Sequence, residues 1–293
     1  MADGQQVGGV VGFMKSLGSL IESHKSSECI VVWEGGGSLR RRSIYPDYKS
    51  KRKPQKLNRF HEGDIPDSVE NRNWQVNFLV ACLKCIPIRQ LYISDCEADD
   101  IIGYAAKYSF KDNRVVIVSS DHDYLQLVSD RITVWSPTLK SHVNTAWVKE
   151  RYGVLPHNLC VARCFSGDAS DAVQGLAGVG VQTLVKRFPQ LADDRKIEIE
   201  EIINSAKNHP RASTLKALKS IIEGEEIVKR NWRLMHLDVS NLSGNQIGKL
   251  NSALEIERPK GNKLELMRTL IKHGIKTFDI DRFYLQVTAN IQK

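Results

Sequence analysis

Several things are scarce in this chain of 293 residues. Cysteine is one: 6 in the whole sequence, with no spacing that suggests a disulfide framework. A reducing cytoplasm is the expected setting. No run approaches the ~18 apolar residues of a membrane span. No basic stretch leads into an apolar leader at the start, so no secretory signal is read there. Internal repeats and low-complexity tracts are also missing. Apolar residues make up 41% of the chain, enough to build a core and too many for a disordered polymer. The length fits one large domain or two modest ones.

Charge is present, and it is concentrated. Arg40, Arg41, Arg42, Lys49, Lys51, Arg52, Lys53, Lys56 and Arg59 face a single acid, Asp47, within residues 40–59. That window carries the same +8 as the whole chain, so the remainder is neutral. A local positive block on a neutral body points to a polyanion bound at one place. A solvated basic loop is the plainer alternative.

The first half alternates short β-rich runs with helical spacing. Cys29–Trp33, Gln90–Ile93, Arg114–Val118 and Arg131–Trp135 read as strands; residues 10–24, 66–85 and 97–109 read as helices. The expected fold class is α/β, a mainly parallel sheet flanked by helices, with ligands at the carboxyl ends of its strands. Beyond about residue 156 the strand pattern fades. Residues 158–166, 180–187, 196–207, 212–229, 262–272 and 279–288 read as helices. Two domains are therefore expected, 1–155 and 156–293.

Acids cluster after the apolar runs. Glu34 ends the first strand; Glu97, Asp99 and Asp100 form a second group; Asp121 and Asp123 follow the third strand; Asp168 and Asp171 follow Gly167. Carboxylates gathered in this number repel unless a cation sits among them, and hard oxygen ligands suit Mg²⁺ or Mn²⁺. Each group also has a structural reading. Ser94 and Glu97 fit a capping box, acids favour a first helical turn, and Asp168 suits an N-cap. Gly175, Gly178 and Gly180 precede a helix carrying Lys186, an arrangement that lets backbone N–H groups approach a phosphate. No Lys-Ser/Thr follows the last glycine, so this is not a P-loop. Cys82-x-x-Cys85 lacks a second pair and reads as core rather than zinc site. His122 is expected to point away from its acidic neighbours, and Trp74, Phe78 and Leu79 to be helix core.

Taken in order, these motifs resemble the flap-endonuclease-like 5′ nucleases, in particular the phage 5′→3′ exonucleases and the 5′-nuclease domain of bacterial DNA polymerase I. The likeness runs from Gly12-Phe13 to about Phe188. Arg42-x-x-Tyr45-Pro46-x-Tyr48-Lys49-x-x-Arg52 resembles the family's arch, Glu97-Ala98-Asp99-Asp100 and Ser119-Ser120-Asp121-x-Asp123 its central acidic motifs, and Gly167-Asp168 to Gly180 its last acids running into a helix–three-turn–helix motif. Val134–Pro137 hints at a phage-type member.

The resemblance implies a PIN-like core with a helical arch at about 40–65, followed by a helical DNA-binding domain. It implies two Mg²⁺, replaceable by Mn²⁺, held by Glu97, Asp99, Asp121 and Asp123, with Glu34, Asp100, Asp168 and Asp171 completing the site. Lys49 and Arg52 would reach the scissile phosphate. Tyr48 would stack on a terminal base, with Tyr45, Arg42 and Lys53 along the single strand. Gly175, Gly178, Gly180 and Lys186 would grip duplex backbone, with a K⁺ at that loop. The expected substrate is DNA with a 5′ end, flap or single-strand/duplex junction, or an RNA–DNA hybrid. The expected protein is a cytoplasmic monomer that meets replication proteins.

Two departures stand out. Glu34 occupies a position where the family has Asp. The family also opens with a strand ending in Asp-Gly some 20 residues before the Gly-Phe helix, whereas eleven residues precede Gly12. Asp3-Gly4 reads as the later loop, so the first strand and its metal ligand are expected to be missing. On that ground a catalytically impaired, structure-specific DNA-binding protein is the alternative. A ribonuclease of related fold and a phosphatase with Asp121 as nucleophile are further rivals.

Overall fold

The structure is a computed structural model that describes residues 6–50 and 69–291. In chain order, α1 (Gly8–His24) leads to β1 (Ile30–Trp33), α2 (Leu39–Ile44), α3 (Val69–Lys84), β2 (Arg89–Tyr92) and α4 (Ala98–Tyr104). Then come β3 (Val115–Val118), β4 (Ile132–Ser136), β5 (Ser141–Val143), α5 (Thr145–Tyr152), α6 (Pro156–Ser166) and the two-residue strands β6 (Gly167–Asp168) and β7 (Val173–Gln174). The remainder is helical: α7 (Val181–Arg187), α8 (Ile199–Lys207), α9 (Lys216–Glu223), α10 (Glu225–Met235), α11 (Gly244–Glu255), α12 (Lys263–Lys272) and α13 (Ile280–Ile291).

Packing divides the chain into two units, neither of them one of the successive halves 1–155 and 156–293. One gathers the described parts of Met1–Trp33, Lys53–Tyr92 and Lys249–Lys293; the other gathers Glu34–Arg52 and Ile93–Gly248. In the first, α1 buries Val10, Met14, Leu17 and Ile21, a stripe at helical spacing, against α3 and α13. Phe78, Leu79 and Cys82 of α3 and Leu266 and Leu270 of α12 share that core, and Trp74 packs at its edge. Cys82 and Cys85 are both buried there, and both are free thiols. β1 and β2 pair in parallel, Ile30 opposite Arg89 and Trp33 opposite Tyr92.

In the second unit α6 buries eight of its eleven residues, Leu159–Ala162, Cys164 and Phe165 among them, packed against α10 and the 3₁₀ turn His122–Leu127. β3 and β4 pair in parallel, and β4 and β5 pair antiparallel. The α/β class holds, but the expected single parallel sheet does not form. The described strands make a two-stranded ladder, a three-stranded mixed ladder and the small β6–β7 pair. Each ladder closes on helices of its own unit. The tight return from β4 into β5 also adds an antiparallel pair to the second ladder, which the sequence reading missed. Among the described residues, no helix is long and apolar enough to cross a membrane.

Of the expected arch, α2 and the turns at Pro46–Ser50 are described. The remainder, including Arg52 and Lys53, lies outside the described residues.

Candidate metal centre

The acids of the second unit sit on short, locally determined structures. Glu97 is the N-cap of α4, and Asp99 and Asp100 occupy its first turn. The Asp100 carboxylate reaches back to the Glu97 backbone N–H at 3.4 Å, so the helix is closed by Asp100 and not by the Ser94–Glu97 box that the sequence suggested. Asp121 caps the 3₁₀ turn, its Oδ1 accepting the Asp123 N–H at 2.9 Å. Tyr124, one residue on, donates its hydroxyl to Asp99 Oδ1 at 2.9 Å and ties the two acidic turns together. Asp168 lies on β6 and accepts from the Ser170 N–H and hydroxyl at 2.8 and 2.6 Å. Asp171 lies in the β6–β7 turn.

Asp99, Asp121 and Asp123 converge: each offers a carboxylate oxygen, and these oxygens lie within 4.8 Å of one another. The electrostatics record the crowding. Burial, then the neighbouring carboxylates of Asp121, Glu97 and Asp123, push the Asp99 carboxyl up to about 7, against the pull of Lys49. Burial and Asp121 push Asp123 up to about 6, even with Arg163 beside it. Groups held this far from their ordinary value mark a place where positive charge is short.

Three cations engage Asp123 together with Glu97, Asp100, Asp168 and Asp171. Arg41 is 2% exposed. Its guanidinium grips Asp100 with two bonds of 2.6 and 2.7 Å, reaches Glu97 at 3.1 Å and donates from Nε to the Leu234 carbonyl at 2.7 Å. Asn241 donates to the same Asp100 at 3.0 Å. Asp100 is thus saturated by protein donors. Lys49 Nζ donates to Glu97 Oε1 at 2.6 Å and lies 3.8 Å from Asp171 Oδ2. Burial works against the charged form of Glu97, but Arg41, Lys49 and the Tyr48 hydroxyl hold its carboxyl below the usual range. Arg163, from α6, donates from Nη1 to Asp123 and from Nη2 to Asp168, the latter at 2.5 Å. Asp168 is held low, against burial, by Ser170 and Arg163.

Sequence reasoning overlooked Arg41 and Arg163 as parts of this wall. Arg41 is hidden by its basic neighbours in the sequence. Arg163 had a signal: it is the one charged residue in Leu159–Phe165, on a helix otherwise apolar there. An arginine in such a place needs carboxylate partners.

The other expected site residues fall in several environments. Glu34 is exposed, its Oε2 3.4 Å from the Ala98 N–H at the start of α4. Tyr48 is buried, 7% exposed, with its hydroxyl 3.0 Å from Glu97, so its ring presents no stacking face in this structure. Tyr45 carries the Arg230 guanidinium 4.2 Å over its ring. Arg42 is exposed and donates to the Gly36 carbonyl at 2.8 Å. Gly175 is required by packing: a Cβ there would meet the Ser166 carbonyl oxygen at 2.1 Å. Gly178 has φ +73° with open space around it, and Gly180 caps α7, on which Lys186 is exposed. His122 is exposed and bonds the Tyr152 hydroxyl at 3.1 Å, away from the acids, as alternation implied.

Known proteins share this arrangement of sequence and fold. A profile of the 5′-3′ exonuclease N-terminal resolvase-like domain matches residues 1–153. A 5′-3′ exonuclease of Aquifex aeolicus is 28% identical over 276 residues, covering 92% of this chain and 86% of that protein. Flap endonuclease Xni of a Shewanella species is 27% identical over 222 residues, 74% of this chain and 75% of that one. Among solved structures, the T5 D15 protein co-crystallised with metal ions superposes with TM-score 0.67 at 20% identity, over 84% of this chain and 92% of its own. T5 5′-exonuclease with divalent zinc bound gives 0.68 at 19%, over 87% and 93%. The profile match takes in more than half of the chain and every acid from Glu34 to Asp123, and so the chain belongs to the 5′–3′ exonuclease family of flap-endonuclease-like 5′ nucleases.

Proposed function

We propose that this chain hydrolyses phosphodiester bonds of DNA near 5′ ends, flaps and single-strand/duplex junctions. The observation that carries the reading is the convergence of Asp99, Asp121 and Asp123 within 4.8 Å, beside Lys49. The donor set, all carboxylate oxygen, fits Mg²⁺ or Mn²⁺. Asp99, Asp121 and Asp123 would hold one ion, with Asp168 and Asp171 on the side of a second. Such ions supply hydroxide at neutral pH and offset charge on the phosphate.

The protein's own groups do the rest. Lys49, anchored on Glu97, presents an ammonium where negative charge grows on the phosphate. Arg41 holds the Glu97 and Asp100 carboxylates in place, which sets the first turn of α4 and so the position of Asp99. α6, the β6–β7 turn, the 175–180 loop and α7 serve as the helix–three-turn–helix grip on duplex backbone, with Lys186 toward phosphate and a K⁺ at the loop.

The test is Asp121→Asn on a 5′-flap DNA, with Mg²⁺ or Mn²⁺. Cleavage is expected to fall by about 10³-fold or more while flap affinity changes by less than about three-fold. Parallel loss of both would assign Asp121 to folding. A wild-type chain that binds flaps and cuts none would favour the impaired, binding-only alternative. An RNA–DNA hybrid run beside the DNA flap decides between the two substrates.

A further inference from the structure

We propose that Arg163 is a built-in counter-cation of the acidic wall. Its guanidinium holds the Asp123–Asp168 side with its own charge, so the free protein retains one divalent cation tightly, on the Asp99–Asp121 side. A second is admitted only when the guanidinium is drawn off those carboxylates. The inference rests on the metal-dependent reading above and adds to it the number of ions and the residue that sets it.

The geometry is specific to arginine. Arg163 leaves α6 between Cys160 and Cys164, both buried, and its side chain is 13% exposed. The rigid fork places one amine nitrogen on Asp123 and the other on Asp168, carboxylates that reach it from the 3₁₀ turn and from β6. A lysine, with one nitrogen, cannot hold both in that way. Each bonded oxygen has given part of its charge to the guanidinium and is a poorer ligand for a second cation. A fixed positive charge in a wall this buried also repels an incoming ion more strongly than it would in water.

The opposite side of the wall is different. Among the described ion pairs, none gives Asp99 or Asp121 a cationic partner: Asp99 accepts the Tyr124 hydroxyl, and Asp121 accepts the Asp123 N–H. Of the three carboxylates that converge for metal, Asp99 and Asp121 thus have no cation within ion-pair distance among the described residues, and Asp123 stands between the two sides with one oxygen on Arg163. A phosphodiester oxygen is an acceptor of the same chemistry as a carboxylate. An arriving backbone phosphate competes for Arg163 and frees Asp168, which couples loading of the second ion to substrate.

The experiment is Mn²⁺ binding to the full chain without nucleic acid, counted by electron paramagnetic resonance of free ion and by calorimetry. The wild type is expected to bind one ion tightly, with any second at least about ten-fold weaker. Arg163→Gln is expected to bind a second ion about ten-fold tighter than the wild type does, and Arg163→Lys to fall between. Two ions of similar affinity on the wild type, or an Arg163→Gln protein whose second ion is no tighter, overturns the proposal. Should Arg163→Gln fail to fold, the wild-type count alone decides. No tight ion on the wild type would overturn the metal reading itself, an outcome distinct from two.

Discussion

At the scale of single residues, Lys49 combines two demands that rarely coincide. Its ammonium is committed to Glu97, and its backbone sits at φ +59° with its N–H on the Asp171 carbonyl at 2.8 Å. A left-handed conformation costs a non-glycine residue about 1 kcal/mol, held here by the surrounding bonds. Lys49→Ala and Lys49→Gly both remove the ammonium and should lower turnover far more than affinity for long duplex. They should part in denaturant, where the glycine variant is expected to be about 1 kcal/mol more stable. Equal turnover to wild type in either would remove Lys49 from the chemistry. The acids themselves were legible in the sequence because carboxylates grouped after apolar runs have few uses. Their partners were not. Nothing linear joins Arg41 to Asp100 or Arg163 to Asp123, and the burial of Tyr48 follows from a hydroxyl finding Glu97 across 49 positions.

Among the elements, strong periodicity gave reliable readings and weak periodicity gave none. The strands at 30–33, 89–92, 115–118 and 132–136 lie within a residue of their expected positions. α5 was missed because only Val148 of its eight residues is buried, although Asn144 and Gly153 cap it. α11 likewise buries only Leu250. The single helix read over 212–229 is two. It breaks at Gly224, where a Cβ would strike Leu176 at 2.2 Å, a long-range constraint that no local pattern contains. The loop glycines separate in the same way. Gly175→Ala drives a methyl into backbone, and roughly 2–3 kcal/mol of stability should be lost in a urea titration. Gly178→Ala meets open space, costs about 1 kcal/mol through φ alone, and should weaken duplex binding more than it lowers stability. The reverse ordering would place the duplex grip elsewhere.

Over the whole molecule, charge balance makes stability depend on pH and metal together. Asp99 and Asp123 have folded values of about 7 and 6, above the ordinary carboxyl. The folded state therefore holds protons that the unfolded chain has released, and stability falls as pH rises through that window. His236 has the opposite sign. Burial and Lys107 depress it to about 4, so its contribution is lost as pH falls from about 6.5 toward 4. Of these three groups, only the acids change stability above pH 6.5. Metal-free protein should melt at lower temperature at pH 7.5 than at 6.5, and saturating Mg²⁺ should raise the melting point more at 7.5. Asp99→Asn should flatten the metal-free dependence; an unaltered slope would place the proton elsewhere. The basic block, so plain in the sequence, is partly turned inward, since Arg41 serves the acidic wall. One backbone contact also ties distant tasks together. Gly167 and Gly175 lie so close that a methyl on either would strike the other's main chain, and Asp168 is the next residue along. A shift of the 175–180 turn at Gly175 would press on the Gly167 main chain, and so on the strand that carries that carboxylate. If the 175–180 turn grips duplex as proposed, seating of the strand and aim of that acid share one mechanical coordinate, and a poorly seated strand would misalign the chemistry before any bond is touched.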